Sequence, residues 1–130
     1  MRPSPVSNRS TLRVLLVEDS DVYRDSIVFL LATRPGLEVV AAVADGAAAL
    51  RAYREHTPDV VVLDYRLPDV DGATVAAELR EDAPHAAIVF LSASAGSEEY
   101  DAASSAGAAL VRKDEGIDAL VRAVRAAAGR

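Results

Sequence analysis

The 130-residue chain contains no cysteine. A disulfide framework, a thiolate zinc site and a cysteine nucleophile are thereby excluded, and the redox state of its compartment cannot be read from thiols. Long hydrophobic runs are missing too. No apolar stretch approaches the roughly 20 residues of a membrane-spanning helix, and Met1 to Thr11 is polar and proline-containing, unlike a secretory signal. A soluble, cytoplasmic protein without membrane contact is the resulting expectation. Basic residues are outnumbered 14 to 20, for a net charge of −6, which speaks against direct nucleic-acid contact because phosphate binding needs a basic face. Lysine is almost absent: of the 14 basic residues one, Lys113, is lysine and the others are arginine. A coding bias toward arginine and alanine accounts for the excess. Even so, a lone lysine marks a position where a compact ammonium serves and a planar guanidinium does not.

What is present is the pattern of one ordinary domain, long enough to bury roughly 65–70% of its unfolded surface without staples. Gly and Pro punctuate the chain at regular intervals, and between them short β-branched runs alternate with segments of helical period. Strands are expected at about 12–18, 38–43, 60–64, 87–92 and 109–112, and helices at about 20–33, 46–55, 72–82, 97–106 and 116–127. Tyr23, Ile27, Leu30 and Leu31 share one helical face, as do Ile117, Leu120, Val121 and Val124. The strands are continuous apolar runs, the mark of a parallel sheet covered on both faces. Five βα units and right-handed crossovers predict a single doubly wound α/β domain, flavodoxin-like, with strand order 2-1-3-4-5 and helices on both faces. The segment 97–106 has few large apolar residues, so the fourth helix should be weakly held and free to move.

Two apolar runs end in acids. Val14-Leu15-Leu16-Val17 runs into Glu18-Asp19, and Val60-Val61-Val62-Leu63 into Asp64. In the 2-1-3-4-5 order these ends are neighbours about 5 Å apart, at the switch point where sites form. Three such acids repel unless a cation joins them, and an oxygen-only donor set with room for water suits Mg2+. Consecutive residues point to opposite sides, so one of Glu18 and Asp19 should meet the metal directly and the other through water. Ser92 and Lys113 end two further strands at the same rim. A carboxylate nucleophile, a cation, a hydroxyl and an ammonium form a set suited to phosphoryl transfer. Taken singly, each residue has a plainer reading: a turn-capping acid, a helix cap at Glu18-Asp19 (better filled by Ser20), a small loop residue, an exposed lysine.

In order along the chain, Val17-Glu18-Asp19-Ser20, Val62 through Gly72, Leu91-Ser92-Ala93 and Arg112-Lys113-Asp114 resemble the receiver domain of two-component response regulators, the CheY-like fold. The resemblance covers about residues 11–127, with 1–10 as a flexible N-terminal segment and 128–130 as a C-terminal end or the start of a linker. It implies that Asp64 is the phosphoacceptor, Asp19 the direct Mg2+ ligand, Glu18 its companion acid and the Arg66 main-chain carbonyl a further ligand. Ser92 would bind the phosphoryl group and Lys113 its oxygens, while Arg66 and Ser94 would tune its lifetime. A histidine kinase or a phosphotransfer protein would be the donor.

The Arg66-to-Gly72 stretch and Lys113-Asp114 are more similar to the NarL/FixJ branch, whose members usually carry a helix-turn-helix domain. Ala126 to Arg130 resembles the beginning of the linker before such a domain, which favours an excised receiver over a stand-alone regulator. Output would be control of transcription. A homodimer would use either the fourth helix, fifth strand and fifth helix or the first and fifth helices. Two departures stand out: Leu110 occupies a position that is usually aromatic in receivers, and the stretch from Ser92 to Lys113 is about one residue short. They support an alternative, a receiver-like interaction module that works without phosphorylation, which the intact acids and Lys113 oppose. A Mg2+ phosphohydrolase is disfavoured because Arg66 stands where those enzymes commonly have a second acid. His56 and His85 are expected in loops at the far end of the sheet, Asp69 and Asp71 in the turn into the third helix, and Tyr65 as a gate on solvent access to Asp64.

Overall fold

The computed structural model describes residues 11–93 and 96–129. Five strands, β1 (Leu12–Val17), β2 (Leu37–Val43), β3 (Val60–Asp64), β4 (Ala87–Ser92) and β5 (Ala109–Arg112), alternate with five helices. The helices are α1 (Asp21–Ala32), α2 (Gly46–His56), α3 (Gly72–Asp82), α4 (Ser97–Ser105) and α5 (Ile117–Ala127), with a short 3-10 turn at Lys113–Glu115 before the last. All strand pairs are parallel and the order is β2-β1-β3-β4-β5, as the sequence pattern predicts. β1 and β3 are therefore hydrogen-bonded neighbours, with Val17 beside Leu63.

Side chains alternate along each strand between two separate cores. Val14, Leu16, Val60, Val62, Val89, Leu91 and Val111 pack with Ile27 and Leu31 of α1 and Leu120, Val121 and Val124 of α5. Leu15, Val17, Val61, Leu63, Ile88 and Phe90 pack with the small or branched faces of α2, α3 and α4. Each fully buried Val, Leu or Phe contributes roughly 1.5–3 kcal/mol, so the two layers together hold the sheet's end rigid. Caps start the helices where expected: Ser20 Oγ accepts the Tyr23 amide at 3.3 Å, Asp45 Oδ1 that of Ala48 at 2.8 Å and Asp71 Oδ1 that of Thr74 at 2.8 Å. α4 buries only Glu99 and Ala103, and its N-cap residue, Gly96, has no side chain to cap the first turn. No described helix is long and apolar enough to cross a membrane.

Candidate functional site

Strand alternation decides which side chains can meet. Continuing the parity of Leu12, Val14 and Leu16 puts Glu18 on the α1–α5 side. The parity of Val60 and Val62 puts Asp64 on that side, and Val111 does the same for Lys113. Ser92 follows Ile88 and Phe90 toward the α2–α4 side. The seam between the two layers thus has acids and a lysine on one flank and a hydroxyl on the other.

Lys113 Nζ lies 2.7 Å from Glu18 Oε1 and 3.1 Å from Asp64 Oδ2. The contact with Glu18 is a close ion pair without the alignment of a hydrogen bond. Glu18 is fully buried and its other oxygen accepts the Ser20 amide at 2.9 Å; Asp64 is buried and its Oδ1 accepts the Arg66 amide at 3.1 Å. Asp19 is exposed beside them, and one oxygen from each of Glu18, Asp19 and Asp64 falls within 4.8 Å of the others. Burial alone would pull the Lys113 pKa down, but the close Glu18 carboxylate, together with the charge and hydrogen bond of Asp64, outweighs it and holds it above the ordinary lysine value. The ammonium therefore stays charged and balances two acids that would otherwise repel.

A cavity of about 110 Å³ opens here, lined by Asp64, Arg66, Ser92, Ala93 and Lys113. Four of the residues singled out in the sequence line one small space, while Glu18 and Asp19 are not part of its lining. Ser94, the remaining flanking residue, is outside the described residues. His56 ends α2 and His85 lines a separate cavity at the opposite end of the sheet.

The loop after Asp64 is held by contacts that the sequence did not reveal. Asp71 lies in the turn into α3, as expected, and caps that helix, but Asp69 reaches back to α2, where its carboxylate accepts the amides of Gly46 at 2.9 Å and Ala47 at 3.1 Å. Gly72 approaches the strand end so closely that an added Cβ would lie 2.5 Å from the Asp64 carbonyl oxygen and 2.9 Å from Tyr65 Cα. Tyr65 is not a gate: its ring is buried and packs edge-on against Phe90, with centroids 6.0 Å apart. Glu99 is a third buried acid, after Glu18 and Asp64, and pattern reasoning passed it over. Its Oε1 accepts the Gly96 amide at 3.1 Å, and its Oε2 lies 3.5 Å from the guanidinium of Arg66. Tyr23, read from sequence only as part of an apolar stripe, has its ring face toward Lys113. Burial pushes its hydroxyl pKa up, and the Lys113 ammonium pulls it partly back.

A parallel sheet with acids, a hydroxyl and a lysine gathered beyond its carboxyl edge defines a class of phosphoryl-accepting domains. The chain matches the family model for the response regulator receiver domain over residues 14–125 and belongs to that family. It is similar in structure to a LuxR-family two-component response regulator from Aurantimonas sp. SI85-9A1, with a TM-score of 0.87 and 39% identity over 93% of this chain and 88% of that one. The signal receiver domain of the putative response regulator NarL from Mycobacterium tuberculosis gives a TM-score of 0.85 and 35% identity over 93% and 99%. In sequence it is 36% identical over 109 residues to a protein-glutamate methylesterase/protein-glutamine glutaminase of Anaeromyxobacter dehalogenans, and 34% identical over 114 residues to the probable transcriptional regulatory protein NarL of M. tuberculosis. It covers 83% and 87% of its own length in these matches but only 30% and 53% of theirs. The domain is a CheY-like receiver closely related to those of NarL and LuxR proteins, with an acid cluster positioned to accept phosphate. Such a domain is a phosphorylation-based signalling switch, itself phosphorylated and dephosphorylated rather than a catalyst on a separate substrate.

Proposed function

We propose that residues 11–127 form a receiver in which Asp64 takes the phosphoryl group from a histidine kinase or phosphotransfer protein. A carboxylate oxygen of Asp64 bonds to phosphorus as the bond to the donor imidazole breaks, and the imidazole keeps the electron pair. The observation that carries this reading is the bridge from Lys113 Nζ to Asp64 Oδ2 at the edge of the cavity lined by Ser92. Lys113 and the Ser92 hydroxyl are the donors for the oxygens of the incoming group.

The acid cluster can hold a divalent cation, and its all-oxygen chemistry fits Mg2+. Asp19, Asp64 and the Arg66 carbonyl would be direct ligands, with Glu18 acting through water because its oxygens are committed to Lys113 and the Ser20 amide. When bound, the ion supplies positive charge against the oxygens of the transferring group. Closure of Lys113 and Ser92 on the new charge then biases α4, β5 and α5 between two positions. That movement would regulate a homodimer, through either α4-β5-α5 or α1-α5, or a DNA-binding domain in a longer parent protein, with transcription as the output.

Intact-protein mass after incubation with Mg2+ and acetyl phosphate, for the wild type and Asp64→Ala, tests the proposal. One phosphoryl group gained by the wild type alone supports it. If neither gains mass and beryllofluoride also fails to bind, the domain works instead as a phosphorylation-independent interaction module.

A further inference from the structure

Lys113 begins the 3-10 turn after β5, on a long flexible stem, and among the described residues its ammonium meets Glu18 Oε1, Asp64 Oδ2 and the ring of Tyr23, whose centroid lies 4.6 Å from Nζ. The two carboxylates are also the groups that a phosphoryl transfer changes, because Asp64 loses its charge to an acyl phosphate and both acids belong to the cluster that can hold a cation. The aromatic face is uncharged and is not consumed. It is also fixed: the Tyr23 amide is bonded to the Ser20 cap and the ring packs with the α1–α5 core. Beside the ring lies an apolar cavity of about 140 Å³ lined by Tyr23, Ile27, Leu30, Ile117, Leu120 and Lys113 among others. Without the ring, the ammonium would have room to swing into it or out to water.

We infer that Tyr23 is a positioning residue for the phosphoryl transfer: its ring face holds the Lys113 ammonium at the acceptor while both acidic partners of that ammonium change. A cation over an aromatic face within about 6 Å of the centroid is attracted by the ring quadrupole, more strongly when the cation is shielded from water. The side chain of Lys113 is 21% exposed, so that condition is met. The inference rests on Asp64 being the phosphoacceptor. It also makes a prediction that does not depend on phosphorylation, because Lys113 is the only lysine in the chain and labelled lysine gives a single side-chain signal.

The test compares the wild type, Tyr23→Phe, Tyr23→Leu and Tyr23→Met by NMR with labelled lysine and by the initial rate of phosphorylation with acetyl phosphate and Mg2+. The terminal methylene protons of Lys113 should be displaced upfield by the ring in the wild type and Tyr23→Phe, and return to ordinary values in the Leu and Met variants. The rate should fall roughly three- to tenfold in the Leu and Met variants, and Tyr23→Phe, which keeps the ring, should restore it. An undisplaced lysine signal in the wild type overturns the inference whatever the variants do. So does an unchanged rate in a folded Leu or Met variant, or a Phe variant as slow as they are. A wild type that shows the displaced signal but takes up no phosphoryl group refutes the phosphoacceptor reading instead, and the positioning role falls with it.

Discussion

Asp69 caps a helix that precedes it by 23 residues: its carboxylate accepts the amide of Gly46 at the first turn of α2. An added Cβ at Gly46 would lie 2.5 Å from Val70 Cγ1, so loop and helix are seated directly against each other. The segment that follows the acceptor is thereby tied to the layer beneath it, which fixes where Arg66 leaves the strand.

Loss of this clamp should be visible in acid. Hydrogen bonds from Gly46 and Ala47 hold the Asp69 pKa below the ordinary aspartate value of 3.8. A depressed folded-state value means that the contribution is complete above the unfolded value and is lost as pH falls through the folded one. Thermal midpoints of wild type and Asp69→Asn should therefore differ at pH 6, and the gap should narrow only below the usual aspartate range. A gap that is constant down to pH 2 would count against the clamp.

Gly72→Ala should destabilise the domain by about 1–3 kcal/mol, because the new methyl meets backbone atoms of Asp64 and Tyr65 that cannot swing aside. Urea unfolding reads this directly. Phosphorylation of the folded fraction should also slow, since the obstruction lies at the acceptor's own carbonyl.

Replacing Lys113 with Met removes the ion-pair partner that the buried Glu18 and Asp64 share among the described residues. The expected cost is about 1–3 kcal/mol in metal-free buffer, and added Mg2+ should recover part of it. The pKa of Lys113 is raised, so the wild-type advantage should be complete below pH 10.5 and disappear as pH climbs through the raised value. Unfolding curves across that range, with and without Mg2+, check both statements.

Arg66→Ala should loosen α4 without changing global stability appreciably. The guanidinium is 72% exposed, so its pairing with Glu99 contributes less than about 1 kcal/mol. Glu99, however, is buried and its other oxygen holds the start of α4. Amide hydrogen exchange should speed up in the first turn of α4 and stay unchanged in β1 and β3.

The sequence made the strand order legible because continuous apolar runs, acid-terminated at β1 and β3, admit few arrangements. Element ends fell within about a residue, since Ser20, Asp45 and Asp71 are strong caps. Glu18, Asp19, Asp64, Ser92 and Lys113 were readable as a group because each ends a strand or follows one within two residues. Glu99, Tyr23 and the reach of Asp69 were not. Each depends on contacts between segments distant in sequence, and an acid near a helix start or a tyrosine on an apolar stripe gives no local sign of such a partner. Tyr65 misled for the same reason: standing next to the acceptor in sequence, it turns to the opposite layer.

That opposition sets a rule for how this chain can change over generations. Inserting or deleting one residue within β3 would carry Asp64 to the other layer, away from Glu18 and Lys113, even if every apolar neighbour found an acceptable new place. Loops at the far end of the sheet, such as that around His85, can lengthen without moving the acid cluster. Length variation among descendants of this sequence should therefore be confined to one rim of the molecule, while the interior of the central strands changes only by substitution.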